Sequence, residues 1–100
     1  MEEQTNQLKI EYCAKCRFMM RAAWVAQELL QTFDEILHQV TLAPSKEAGI
    51  FKLTLNNNLI WNRNIDGNIP DIKTIKQRIR DQLIPEKNLG HSDTPENQSL

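Results

Sequence analysis

Between Leu8 and Leu83 the chain switches between two hydrophobic repeats, one of period two and one near 3.6, and their order predicts a fold. Leu8-Lys9-Ile10-Glu11-Tyr12 sets apolar against charged residues at every second position, the pattern of a strand with one buried face. From about Lys15 to Phe33 the spacing becomes helical, with Met19, Ala22, Ala23, Ala26, Leu29, Leu30 and Phe33 on the expected inner stripe. That stretch lacks Gly and Pro and is rich in strong helix formers. Ile36, Val40 and Leu42 share a face of a second predicted strand, and Pro44 and Gly49 mark the loop over 43–49. Phe51, Leu53 and Leu55 alternate again. Asn56-Asn57-Asn58 supplies residues that tolerate positive φ, and the run Leu59 to Arg63 completes a predicted hairpin. A turn over 66–71 then leads into a helix with Ile72, Ile75, Ile79 and Leu83 inward, and Pro85 lies just past its end.

The predicted order is β-α-β-β-β-α. A strand–helix–strand unit requires a parallel pair with a right-handed crossover, and the hairpin adds an antiparallel pair. The simplest assembly is an α/β fold: a four-stranded mixed sheet in order 2-1-3-4 carrying two helices. Residues 8–85 form the domain, 1–7 are expected as a disordered tail, and the polar stretch 86–100 as largely disordered. The first strand is central, and Cys13 and Cys16 leave its C-terminal end, the rim where open α/β sheets carry their chemistry.

Composition narrows the function. One hundred residues, 40% apolar and 25% charged, are enough for one globular core without disulfide staples. A net charge of −1 gives no electrostatic case for nucleic acid or an anionic membrane; Lys73, Lys76, Arg78 and Arg80 are interleaved with Asp71 and Asp81, as on a solvated helix face. No run is long enough to span a bilayer, and the polar, acidic start lacks the order of a secretory signal. The expected setting is the reducing cytoplasm, where two closely spaced cysteines point to redox or metal chemistry rather than to a structural staple.

Cys13-Ala14-Lys15-Cys16 places two thiols nearly one helical turn apart where a strand is expected to become a helix. The free N–H groups and positive dipole of a helix start favour the thiolate, and Lys15 and Arg17 add positive charge as activating neighbours. Inert core cysteines and half of a zinc site are the competing readings. The second needs four ligands, of which only His38 and His91 could join the cysteines within one chain.

These residues resemble the selenoprotein W-like (Rdx) family of thioredoxin-like proteins, in its bacterial cysteine-containing form. The resemblance runs from about Leu8 to Asp93. It covers the strand and motif from Ile10 to Cys16, the helix from Arg21 to Leu30, the loop from Pro44-Ser45 to Gly49-Ile50-Phe51, the turn Gly67-Asn68-Ile69-Pro70-Asp71 and the tail Leu89-Gly90-His91-Ser92-Asp93. It implies a thioredoxin-like fold, a cytosolic setting and a thiol-based redox role linked to glutathione. In selenium-containing members selenocysteine holds the place of Cys16. Two departures stand out: the thioredoxin cis-proline position is held by Gly49 or Ile50, and the later turn has Gly67-Asn68 in place of Gly-Gly.

For disulfide exchange the reading leans to Cys13 as the attacking sulfur and Cys16 as the resolving one. Thioredoxin-like geometry favours Cys13, as the exposed cysteine at a helix N-cap; the selenium-containing members favour Cys16. Ser45, Ala48 and Gly49 are candidates for a substrate rim, and Met20 and Trp24 for a partner surface. Trp61 is expected in packing, His38 as a partly buried residue with a local hydrogen bond, and Arg21 as a solvated charge. The leading function is thiol–disulfide oxidoreduction on protein or small-molecule disulfides. It needs no metal or organic cofactor beyond a thiol reductant such as glutathione or thioredoxin. The alternatives are a redox-responsive interaction module without turnover and a zinc-bridged dimer.

Overall fold

The computed structural model describes residues 5–90; the expectations for 1–4, for His91 and for the rest of the C-terminal tail lie outside them. Four strands, β1 (Asn6–Cys13), β2 (Leu37–Ser45), β3 (Phe51–Leu55) and β4 (Asn58–Asn62), and three helices, α1 (Met19–Thr32), α2 (Arg63–Asp66) and α3 (Ile72–Leu83), make up the chain. The sheet order is β2-β1-β3-β4, with β1–β2 parallel and the other neighbours antiparallel. This is the four-stranded order that the pattern predicted, and the thioredoxin-like arrangement that the resemblance implied, with a third, short helix added.

The period-two residues account for the sheet. Leu8, Ile10 and Tyr12 sit opposite Leu55, Leu53 and Phe51, all six buried, and form the floor of the core. Between them Lys9 and Glu11 alternate outward, opposite Thr54 and Lys52. The hairpin turns at Asn56 (φ 50°) and Asn57 (φ 71°), the paired positive angles of a tight two-residue turn that asparagine tolerates.

α1 differs from the sequence reading in its start and in part of its stripe. α1 buries Ala22, Val25, Ala26 and Leu29, with Phe33 just past its end, while Met19 and Leu30 are exposed. The buried stripe is therefore rotated towards Val25. α1 also begins at Met19 rather than near Lys15, because Arg17 takes a left-handed φ of 62° and closes a turn, its N–H donating to the Ala14 carbonyl at 3.3 Å. α3 follows the expected stripe: Ile75 and Ile79 are fully buried and Ile72 and Leu83 pack against the same core.

Two boundaries shift for identifiable reasons. β1 begins at Asn6, tied to its neighbours by Asn6 N–H donating to His38 Nδ1 at 3.0 Å and by the Asn6 amide donating to the Ile36 carbonyl at 2.9 Å. β2 runs on through Pro44 to Ser45, which an edge strand permits because its outer N–H positions need no partner. The expected turn after β4 contains α2, started by the Asn62 carboxamide oxygen accepting from Asn64 N–H and ended by Gly67 at φ 97°. Beyond α3 the chain keeps contact with the body: Arg80 donates to the Lys87 carbonyl at 2.8 Å, and Leu89 packs against the core. No helix among the described residues is long and apolar enough to cross a membrane.

Candidate functional site

The central strand ends at the chemistry. Cys13 is the last residue of β1; its N–H donates to the Ile50 carbonyl at 2.9 Å, and its register partner across the parallel pair is Ser45. It is therefore tied on both sides and only 2% exposed. Cys16 stands in the Ala14–Arg17 turn, exposed. The two are joined as a disulfide across a Cα–Cα separation of 5.3 Å, inside the range such a bond spans.

This geometry corrects two expectations. The motif does not open the helix: Phe18 is the N-cap, so Cys16 precedes α1 by a short link and Cys13 belongs wholly to the strand. The order of exposure is also reversed. Cys13 was expected as the accessible sulfur and is the buried one, because the strand continues through it and the ladder to Ile50 and Ser45 closes around it.

The candidate rim residues divide. Ser45 lies beside Cys13, half-buried, with its hydroxyl accepting from Glu47 N–H at 3.1 Å. Gly49 is half-buried at φ 76°, next to the Ile50 carbonyl that holds Cys13. Ala48 is exposed in the loop. Lys15 and Arg17 are exposed and join no ion pair among the described residues. His38 is exposed rather than partly buried, since β2 is an edge strand, and its hydrogen bond is not local: Nδ1 accepts from the N–H of Asn6 on β1. Trp61 is buried with its indole N–H donating to the Asn68 carbonyl at 2.7 Å. Arg78, expected on a solvated helix face, instead stacks its guanidinium 4.6 Å from the Trp61 ring centroid and donates to the Ile60 carbonyl.

Arg63 is the site neighbour that sequence reading missed. Its guanidinium donates to the Gly49 carbonyl at 3.2 Å and lies 5.8 Å from the centroid of Phe18, which in turn meets Phe51 edge-on at 6.0 Å. One side chain thus links α2, the loop before β3 and the segment after Cys16. No local pattern could reveal it, because the hairpin alone brings Arg63 back to Gly49.

On the other side of the motif is a shallow hollow of about 340 Å³ lined by Tyr12, Ala14, Arg17, Met19 and Met20. Met20 is 79% and Met19 55% exposed. Trp24, 41% exposed, stands one turn further along α1 with Arg21 over its ring at 5.6 Å, so Arg21 is not merely a solvated charge. No cluster of three or more His, Cys, Asp or Glu placed to hold a metal occurs among the described residues.

A disulfide thus closes the end of the central strand, with Cys13 buried and Cys16 in an exposed turn. The Rdx family model matches residues 7–81, three-quarters of the chain. The chain belongs to the Rdx family. A solved protein from Bordetella parapertussis is 42% identical with a TM-score of 0.77, covering 80% of this chain and all of its own. A selenoprotein W-related protein from Vibrio cholerae is also 42% identical, with a TM-score of 0.75, covering 79% of this chain and 98% of its own. No curated protein matches the chain significantly. The Rdx assignment agrees with the resemblance read from the motif, the loop before β3 and the Gly67 turn, and it brings a general redox character. Both solved relatives are spanned almost end to end, so the Rdx domain here is matched as a whole.

Proposed function

We propose that this Rdx protein is a thiol–disulfide exchange protein in which Cys16 is the sulfur that meets substrate and Cys13 the one that resolves. The observation that carries this is the asymmetry of the pair, with Cys16 in an exposed turn and Cys13 2% exposed at a strand end. Exchange is an in-line displacement at sulfur, so the attacking thiolate needs room that only Cys16 has. In the reducing direction the Cys16 thiolate attacks a substrate disulfide, forms a mixed disulfide and expels one substrate thiolate, which takes up a proton. The Cys13 thiolate then attacks Cys16 Sγ, expels the second substrate thiolate and leaves the Cys13–Cys16 disulfide. Two electrons pass from the protein to the substrate. Two equivalents of an external thiol such as glutathione, entering at Cys16, run the same steps backwards and restore the dithiol.

Exposed Lys15 and Arg17 flank Cys16 and favour its thiolate by charge. A cytoplasmic setting, where thiol reductants are abundant, fits this cycle. The test is intact mass after exposure of each reduced single-cysteine variant to oxidised glutathione. Cys13→Ser should accumulate a stable glutathionyl adduct on Cys16, while Cys16→Ser should accumulate little. The reverse result would give the attacking role to Cys13.

A further inference from the structure

The hollow beside the motif bears on what kind of disulfide is exchanged, an inference that rests on the thiol-exchange reading above. Ala14 and Arg17, two of its five lining residues, bracket Cys16 in the same turn, so the hollow lies beside that exposed residue. The other three are Tyr12, Met19 and Met20, and the two methionines are more than half exposed. Adjacent exposed methionines at a helix start contribute nothing to the core. Their soft, unbranched side chains suit a surface that must mould itself to varied apolar groups.

Charge points the same way. Between Glu11 and Glu28 the chain carries Lys15, Arg17 and Arg21 and no carboxylate, although the whole protein has a net charge of −1. None of the three cations forms an ion pair among the described residues. Glu47, on the loop after Ser45, is offset by its neighbour Lys46. The hollow is therefore mostly apolar with Arg17 in its lining, and Lys15 and Arg21 lie within a few residues of it in the chain.

We infer that the hollow lined by Tyr12, Ala14, Arg17, Met19 and Met20 seats a segment of a substrate protein whose cysteine is flanked by an apolar side chain and acidic residues. The apolar side chain fills the hollow, the carboxylates face Lys15, Arg17 and Arg21, and the substrate cysteine is presented to Cys16. Glutathione carries carboxylates but no apolar side chain, so it satisfies the cations and leaves the hollow empty. The protein substrate is accordingly preferred and glutathione is the poorer partner at the same sulfur.

The experiment compares rates of oxidation of the reduced full-length chain, followed by intact mass after alkylation. Three probes are used: oxidised glutathione, the symmetrical disulfide of a short peptide with leucine and two glutamates around its cysteine, and the same peptide with serine and two lysines instead. The acidic apolar peptide should react about tenfold faster than the basic polar one, with the advantage shrinking as salt is raised. Met20→Gln should lower the ratio of acidic-peptide to glutathione rates several-fold. Leu59→Gln, an exposed apolar position on β4, should leave that ratio unchanged. Equal peptide rates, or a ratio that Met20→Gln does not move, would overturn the inference while leaving thiol exchange intact. Failure of all three probes to oxidise the chain would overturn the exchange reading itself. A wild-type dimer that Met20→Gln dissociates would assign the hollow to a second copy instead.

Discussion

Arg17 and Gly49 carry the backbone geometry on which the site depends. Both lie in the left-handed region, at φ 62° and 76°, one closing the turn that exposes Cys16 and the other setting the loop whose Ile50 carbonyl holds Cys13. A Cβ at Gly49 would meet Arg63 Nη1 at 3.3 Å, so Gly49→Ala combines backbone strain with pressure on the guanidinium. The expected cost is about 1–2 kcal/mol, read as a lower urea midpoint with the slope unchanged. The sequence announced Cys13, Cys16 and the asparagine turn plainly, because type and spacing were enough. It could not announce that Cys13 is the buried sulfur: burial comes from the β2 and β3 neighbours, which no reading of 13–16 alone contains.

At the scale of elements, what was legible tracked the strength of the periodic signal. α3 was read nearly residue for residue, since Ile72, Ile75, Ile79 and Leu83 are its only large apolar positions. α1 was read too long but with Ala22, Ala26, Leu29 and Phe33 correctly inward; Met19 and Leu30 were wrongly included because they resemble core residues by type, and Val25 was missed. Ile75→Ala on α3 should therefore cost about 2–5 kcal/mol in chemical denaturation, whereas Ile65→Ser on α2, at a 72% exposed position, should stay within about 0.5 kcal/mol. α2 was missed because four polar-leaning residues carry no period; it is held by its ends. The Asn62 backbone N–H donates to the Asp66 carboxylate at 3.0 Å, and Arg78 approaches the other oxygen at 3.4 Å. The hydrogen bond from the Asn62 N–H keeps the Asp66 carboxyl below its ordinary value against the opposing effect of burial, with smaller contributions from the hydrogen bond and charge of Arg78. A lowered folded-state value means stabilisation that is present above the unfolded carboxylate range and is lost as pH falls through the folded value. Thermal midpoints measured from pH 6 down to pH 3 should fall more steeply for wild type than for Asp66→Asn.

As a whole molecule, the fold is a two-layer sandwich whose topology was recoverable from connection rules alone. Parallel β1–β2, the right-handed crossover and the hairpin left little choice but β2-β1-β3-β4. The packing of distant segments against the motif was beyond those rules, and Arg63 is the instance that matters. The anchoring of Cys13 has a mechanical consequence. Strand β1 is laddered on both sides to its last residue, so Cys13 is fixed in the sheet while Cys16 stands in a short exposed turn. Making or breaking the bond between them can then be accommodated within a few residues, while the sheet stays still. Amide exchange should accordingly slow on oxidation over residues 14–18 and remain unaltered along β1.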